Sequence, residues 1–134
     1  MNKRELCLGN FVRVTKPGGY NNVGDIICVK SISDKGINHW QDMGASGENT
    51  WDGIEGIEFS WEIFEAIGAK RSHLDSGVLD AKDCQYVVRH YGWGWGIEGW
   101  YFKYLHQFQN HYFFENQEDF PLDTFVRIFN VKGV

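Results

Sequence analysis

Apolar and polar side chains alternate along residues 8–14, around the turn pair Gly9-Asn10, which predicts a half-buried strand. Turn-forming residues follow at Pro17-Gly18-Gly19 and Asn21-Asn22. Residues 26–32 are rich in β-branched side chains and predict a second strand. Asp34-Lys35-Gly36 is a hairpin-type turn, and residues 37–40 predict a third strand. Short strands joined by tight turns each bury one face, the pattern of a small antiparallel β-meander or barrel at the N-terminus. Residues 42–53 are rich in Gly, Asn and Asp and predict a loop.

The period then changes. Ser60 is a candidate N-cap, and Trp61, Phe64 and Ile67 recur at helical spacing with Glu62 in the first turn and Gly68 beyond the end. Residues 70–83 are polar and turn-like. Residues 85–91 and 97–102 predict strands, joined by Gly92-Trp93-Gly94-Trp95-Gly96 as a hairpin connection. Tyr101, Tyr104, Leu105, Phe108 and Tyr112 share one stripe, which predicts a second short amphipathic helix over residues 103–115. Residues 124–131 are β-branched and aromatic and predict a C-terminal strand. The expected fold class is α+β, as a single domain over residues 1–134.

Composition excludes two classes. With 43% hydrophobic and 23% charged residues the chain is no disordered tract, and no apolar run has the length of a spanning helix. No membrane is therefore expected as a partner. The N-terminal residues do not read as a signal peptide, and the expected location is cytoplasmic. Cys7, Cys28 and Cys84 are odd in number and widely spaced, so free thiols are expected rather than a disulfide framework or zinc site. Aromatic residues are unusually frequent, at 16%.

Charge is the second outlier. The net charge is −5, but residues 36–69 carry seven acids (Asp42, Glu48, Asp52, Glu55, Glu58, Glu62 and Glu65) and no Lys or Arg. Residues 1–35 carry six bases against three acids. An acidic chain lacks the basic footprint of a general nucleic-acid binder, so direct binding of nucleic acid is not expected. An anionic run steers encounter with a cationic surface.

Catalytic patterns are weak. His106 and His111 are five apart, off the spacing that puts two histidines on one helix face, and neither HExxH nor a phosphate-binding glycine loop occurs. Asp52, Glu55 and Glu58 sit among glycines, where solvent keeps carboxylates ordinary. No catalytic residue, metal or cofactor is therefore expected. Trp93 and Trp95 stand between glycines that give freedom but no cover. Either one or both fold back on the sheet as core, or they form a stacking platform for a sugar, a base or a partner's pocket. Trp40, Trp51 and Trp61 are expected in the core.

Leu6-Cys7-Leu8-Gly9-Asn10-Phe11-Val12 resembles the opening of a family of small uncharacterised proteins of Bacteroidetes genomes, prophages and mobile elements. Tyr104-Leu105-His106-Gln107-Phe108-Gln109-Asn110-His111-Tyr112-Phe113 is similar to that family's Tyr-Val-His-Gln-Leu-Gln-Asn-Leu-Tyr-Phe segment. The resemblance implies a setting among accessory proteins of mobile DNA, where anti-CRISPR proteins are one class of small acidic inhibitor. The expected function is a non-enzymatic interaction protein that binds a host protein, an RNA-guided CRISPR-associated nuclease or its guide-RNA complex. The partner-binding residues would be Asp42, Glu48, Asp52, Glu55, Glu58, Glu62, Glu65, Trp93 and Trp95. Two alternatives stand beside it: a small nucleic-acid-binding module using Lys30, Lys35, His39 and Trp40, and a carbohydrate-binding domain.

Overall fold

The computed structural model describes residues 5–18, 21–39, 48–80 and 85–132, and it is α+β. The chain divides into two compact units, Met1–Ile57 with Phe129–Val134, and Glu58–Ile128. Asp42, Trp40 and Cys84 lie outside the described residues.

In the first unit the expected antiparallel strands are shared between two three-stranded sheets. β1 (Phe11–Val14) is central between β2 (Ile26–Cys28) and β6 (Ile54–Gly56), with Val12 opposite both Ile27 and Gly56. β3 (Ser31–Ile32), β4 (Gly36–Asn38) and β5 (Asn49–Thr50) form the second sheet in chain order. Leu6, Val12, Val14, Ile27, Val29, Ile37 and Ile54 make the core, and Trp51 packs against it from a 3-10 turn. The Trp51 indole N–H donates to the carbonyls of Ser33 and Asp34, both at 3.2 Å, and so ties that turn to the β3–β4 hairpin. Asn21 and Asn49 exchange side-chain amide hydrogen bonds at 2.7 and 2.9 Å, which satisfies two buried polar groups at once. Cys7 is exposed, Cys28 is buried, and both are free thiols.

The second unit is built on a five-stranded antiparallel meander: β7 (Lys70–His73), β8 (Ser76–Asp80), β9 (Gln85–Tyr91), β10 (Gly94–Ile97) and β11 (Trp100–Phe102). α1 (Trp61–Ala66) begins as expected, with the Ser60 hydroxyl accepting from the Ile63 N–H at 3.2 Å. α2 (Leu105–Asn116) buries Leu105, His106, Phe108 and Tyr112. Its first turn is capped by Gln107, whose Oε1 accepts from the backbone N–H groups of Lys103 and Tyr104 at 2.8 and 3.0 Å.

Three sequence expectations change here. The polar stretch at residues 70–83 contains the β7–β8 hairpin, because Gly77 and Leu79 turn inward while the β7 side chains stay in solvent. The glycine–tryptophan segment is mostly strand rather than connection: only residues 92–93 form the turn, and β10 begins at Gly94. Residues 124–131 do not form a strand. α3 (Asp123–Phe129) takes their place, anchored by the fully buried Phe125, and Lys132 bridges back to Ile27. Burying one Phe side chain is worth about 1.5–3 kcal/mol, more than the few tenths by which β-branched residues disfavour a helix.

Register assigns the two faces of the meander. Leu79, Tyr86, Val88, Trp95, Ile97 and Phe102 point to one side and are buried. Phe59 joins them, with ring centroids 5.1 Å from both Trp95 and Phe102, 5.7 Å from Phe108 and 6.2 Å from Phe64. α1 and α2 pack on this face, with Phe64 6.4 Å from Trp95 and Phe108 5.9 Å from Phe102 between ring centroids. The other face carries Val87, Arg89, Tyr91 and Tyr101, all exposed.

Candidate functional site

The two tryptophans between glycines separate. Trp95 sits inward on β10 opposite His90 and Phe102 and is 4% exposed. Its indole N–H donates to the Phe59 carbonyl at 3.0 Å, and its ring lies 4.9 Å from Trp61 and 4.5 Å from His90. The expectation that Trp95 contacts a partner is corrected: the pleat alternation that turns Gly94 and Gly96 to one side of β10 turns Trp95 to the other, into the core.

Trp93, at the turn, is 63% exposed. It stacks on Tyr91 at 5.4 Å and 10°, and it meets Tyr101 edge-on at 5.1 Å and 64°. Tyr101 in turn meets Tyr91 at 5.8 Å and 74°. Gly96 makes this cluster possible. A Cβ there would stand 2.9 Å from Tyr91 Cε2 and 3.1 Å from Tyr101 Cδ1, so only a residue without one lets both rings close over the strand.

Beside the cluster runs a groove of about 230 Å³ lined by Trp93, Tyr101, Phe102, Lys103 and Gln107. The Lys103 ammonium lies 3.4 Å from Glu58 Oε1 and 5.5 Å from the Tyr104 ring centroid. Its hydrogen bond to Glu58 holds its pKa above the usual lysine value. Tyr91, Tyr101, Lys103 and Gln107 were not among the sequence-predicted site residues. The available signal was period two across a glycine, which places Tyr91 and Tyr101 on the same side as Gly96 once the β9–β10–β11 register is known.

The acidic run is less uniform than its sequence suggests. In the first unit, Glu48 is half-buried and accepts from the Ser33 hydroxyl. Asp52 is exposed and receives Lys16 Nζ at 2.7 Å and the Thr50 hydroxyl at 2.6 Å. Lys16, then Thr50, pull its pKa down to about 2. Glu55 faces Arg13 across the β1–β6 ladder. In the second unit, Glu58 is engaged by Lys103, whereas Glu62 and Glu65 are exposed on α1. Among the described residues, Glu55, Glu62 and Glu65 make no ion pair.

Two titratable clusters lie elsewhere. His111 stacks on Trp100 at 4.0 Å and 7°, and its Nε2 is 3.1 Å from Glu115 Oε1. The Tyr86 hydroxyl donates to the same carboxylate, which ties α2 to β9. In the first unit, Lys132 Nζ binds Asp25 at 2.7 Å and holds its carboxyl below the usual range. His39 nearby is buried, and that burial, followed by the Lys132 charge, lowers its pKa. A buried His39 does not furnish the stacking surface expected of a nucleic-acid module. No group of three or more described His, Cys, Asp or Glu residues is placed to hold a metal ion. No helix among the described residues is long and apolar enough to cross a membrane.

Comparison with protein-family models, with curated proteins and with solved structures finds no match to this chain.

Proposed function

We propose that this is a non-enzymatic binding protein that docks on a host protein in the bacterial cytoplasm and inhibits it, in the manner of an anti-CRISPR protein acting on an RNA-guided nuclease. The observation that carries the proposal is the uncovered sheet face with Tyr91, Trp93 and Tyr101 in mutual ring contact and Arg89 on the same side. Trp, Tyr and Arg are the residues that dominate binding energy at protein interfaces. Exposed rings already packed on one another lose little conformational freedom when a partner covers them. Glu55, Glu62 and Glu65 support the electrostatic part: acids that make no ion pair among the described residues set encounter rate and orientation, while Asp52 and Glu58, shared with lysines, contribute less.

The experiment is target-DNA cleavage by a panel of purified, guide-loaded RNA-guided nucleases, with and without the protein. Inhibition of at least one nuclease is expected, and the Trp93→Ala/Tyr101→Ala double variant should lose it while keeping the fold. A panel that is neither bound nor inhibited, or inhibition untouched by the double variant, overturns the proposal.

A further inference from the structure

The hydrogen-bonding character of the groove beside Trp93 narrows what it accepts. Gln107 Oε1 is committed to the backbone N–H groups of Lys103 and Tyr104, which leaves the NH₂ of the same amide to offer. The Trp93 indole and the Lys103 ammonium are donors only. The polar side-chain groups lining the groove are therefore mainly donors, with the Tyr101 hydroxyl able to donate or accept, and they are set among π-faces. At about 230 Å³ it is smaller than the roughly 300–1,000 Å³ of enclosed small-molecule sites, which favours part of an extended chain over a whole ligand.

From this juxtaposition, and resting on the reading of this face as a docking surface for a protein, we infer that the groove takes a proline-rich segment of the partner in the polyproline II conformation. Prolyl residues supply carbonyl acceptors and no N–H, which matches a donor-rich groove. Their CH-rich rings pack on electron-rich aromatic faces, and the helix is ordered before it binds. The steep angle between Trp93 and Tyr101 gives two differently inclined walls for successive prolyl rings. Sugar hydroxyls and base edges can accept here but also carry donors of their own, for which the groove's side chains offer few acceptors, whereas a chain without N–H groups has none to satisfy. A phosphate chain would meet a protein of net charge −5 and a lysine already shared with Glu58.

The test is a titration of the full chain with decaproline, followed by tryptophan fluorescence and by amide chemical shifts. A Gly-Ser decapeptide, a deoxythymidine decamer and maltohexaose serve as comparators. Decaproline should bind saturably, shift Trp93, Tyr101 and Gln107, and leave Trp95 unmoved, while the comparators do not bind. Trp93→Ala should weaken binding by about tenfold or more. Gln107→Glu keeps an acceptor for the helix cap but loses the donor, and it should weaken decaproline binding while the unfolding midpoint stays close to wild type. No decaproline binding, preferential binding of any comparator at Trp93, or an unchanged affinity in Gln107→Glu overturns the inference. If decaproline fails while the Trp93/Tyr101 double variant still abolishes nuclease inhibition, the proline segment is wrong and the docking face survives. If inhibition ignores those two residues, the docking face itself is wrong.

Discussion

Substituting the two glycine-flanked tryptophans one at a time should give opposite outcomes, although their sequence surroundings are nearly identical. Trp95→Ala removes an indole that is 4% exposed and packed against Phe59, Trp61 and His90. Truncating a buried aromatic side chain costs about 3–5 kcal/mol through lost transfer energy and the cavity left behind. The loss of its N–H also leaves the buried Phe59 carbonyl without that donor, at a cost of about 1–3 kcal/mol, part of which the larger figure already contains. Against a total stability of about 5–15 kcal/mol, this removes much of the margin. Trp93→Ala removes a ring that is mostly in water and forfeits only its contacts with Tyr91 and Tyr101, about 1 kcal/mol. Urea denaturation followed by far-UV circular dichroism measures both. If Trp95→Ala is too unstable to purify, Trp95→Phe keeps a ring, loses the hydrogen bond and should still cost more than Trp93→Ala. Equal destabilisation by Trp93→Ala and Trp95→Phe, or a larger effect at Trp93, would refute the inward–outward assignment.

Gly77→Ala should destabilise by about 1–3 kcal/mol, since its Cβ would stand 2.6 Å from Phe64 Cε1 and 2.8 Å from the Lys70 carbonyl; a neutral thermal melt would mean that α1 lies farther from β8. His39 has a folded pKa lowered from 6.5 by burial, so the unfolded chain takes up the proton first. Its contribution is complete above about pH 6.5 and is lost as pH falls toward the folded value. The wild-type urea midpoint should therefore drop between about pH 7.5 and 5.5 more than that of His39→Gln, and parallel curves would remove the effect. Reversing Glu55, Glu62 and Glu65 to Lys should slow association with an inhibited nuclease and flatten its salt dependence with little change in dissociation rate. An unchanged association rate would leave the acids as solvated surface.

Where a segment's own side chains decide its structure, the sequence was sufficient. Ser60, the Trp61–Phe64–Ile67 spacing and Gly68 marked α1, and the Gln107 helix began within two residues of where its stripe predicted. Residues 124–131 misled because their β-branched content masked a helical stripe: Leu122, Phe125, Val126 and Phe129 recur at three and four residues, and these are the less exposed positions. The hairpin at residues 70–80 was hidden for another reason. One of its strands is fully exposed and polar, and the inward positions of the other include a glycine, so neither presents an apolar alternation. Of the site, Trp93 was legible and Trp95 was misplaced, because which tryptophan lies on the pleat and which at the turn depends on where the turn falls. Tyr91, Tyr101 and Gln107 become neighbours only through register and a helix cap, which no local window contains. The acidic run was plain in composition, but pairing with Lys16 and Lys103 arises from strands and loops distant in sequence.

Solvent access to the tryptophan indoles tests the open aromatic face most directly. Side-chain N–H signals recorded with a soluble gadolinium chelate, together with their hydrogen exchange, report each ring separately. Trp93 Nε1–H should broaden strongly and exchange fast, while Trp95 Nε1–H, bonded to the Phe59 carbonyl, should remain sharp and protected. A Trp93 indole as shielded and protected as that of Trp95 would mean that the face is covered, and docking through it would be contradicted.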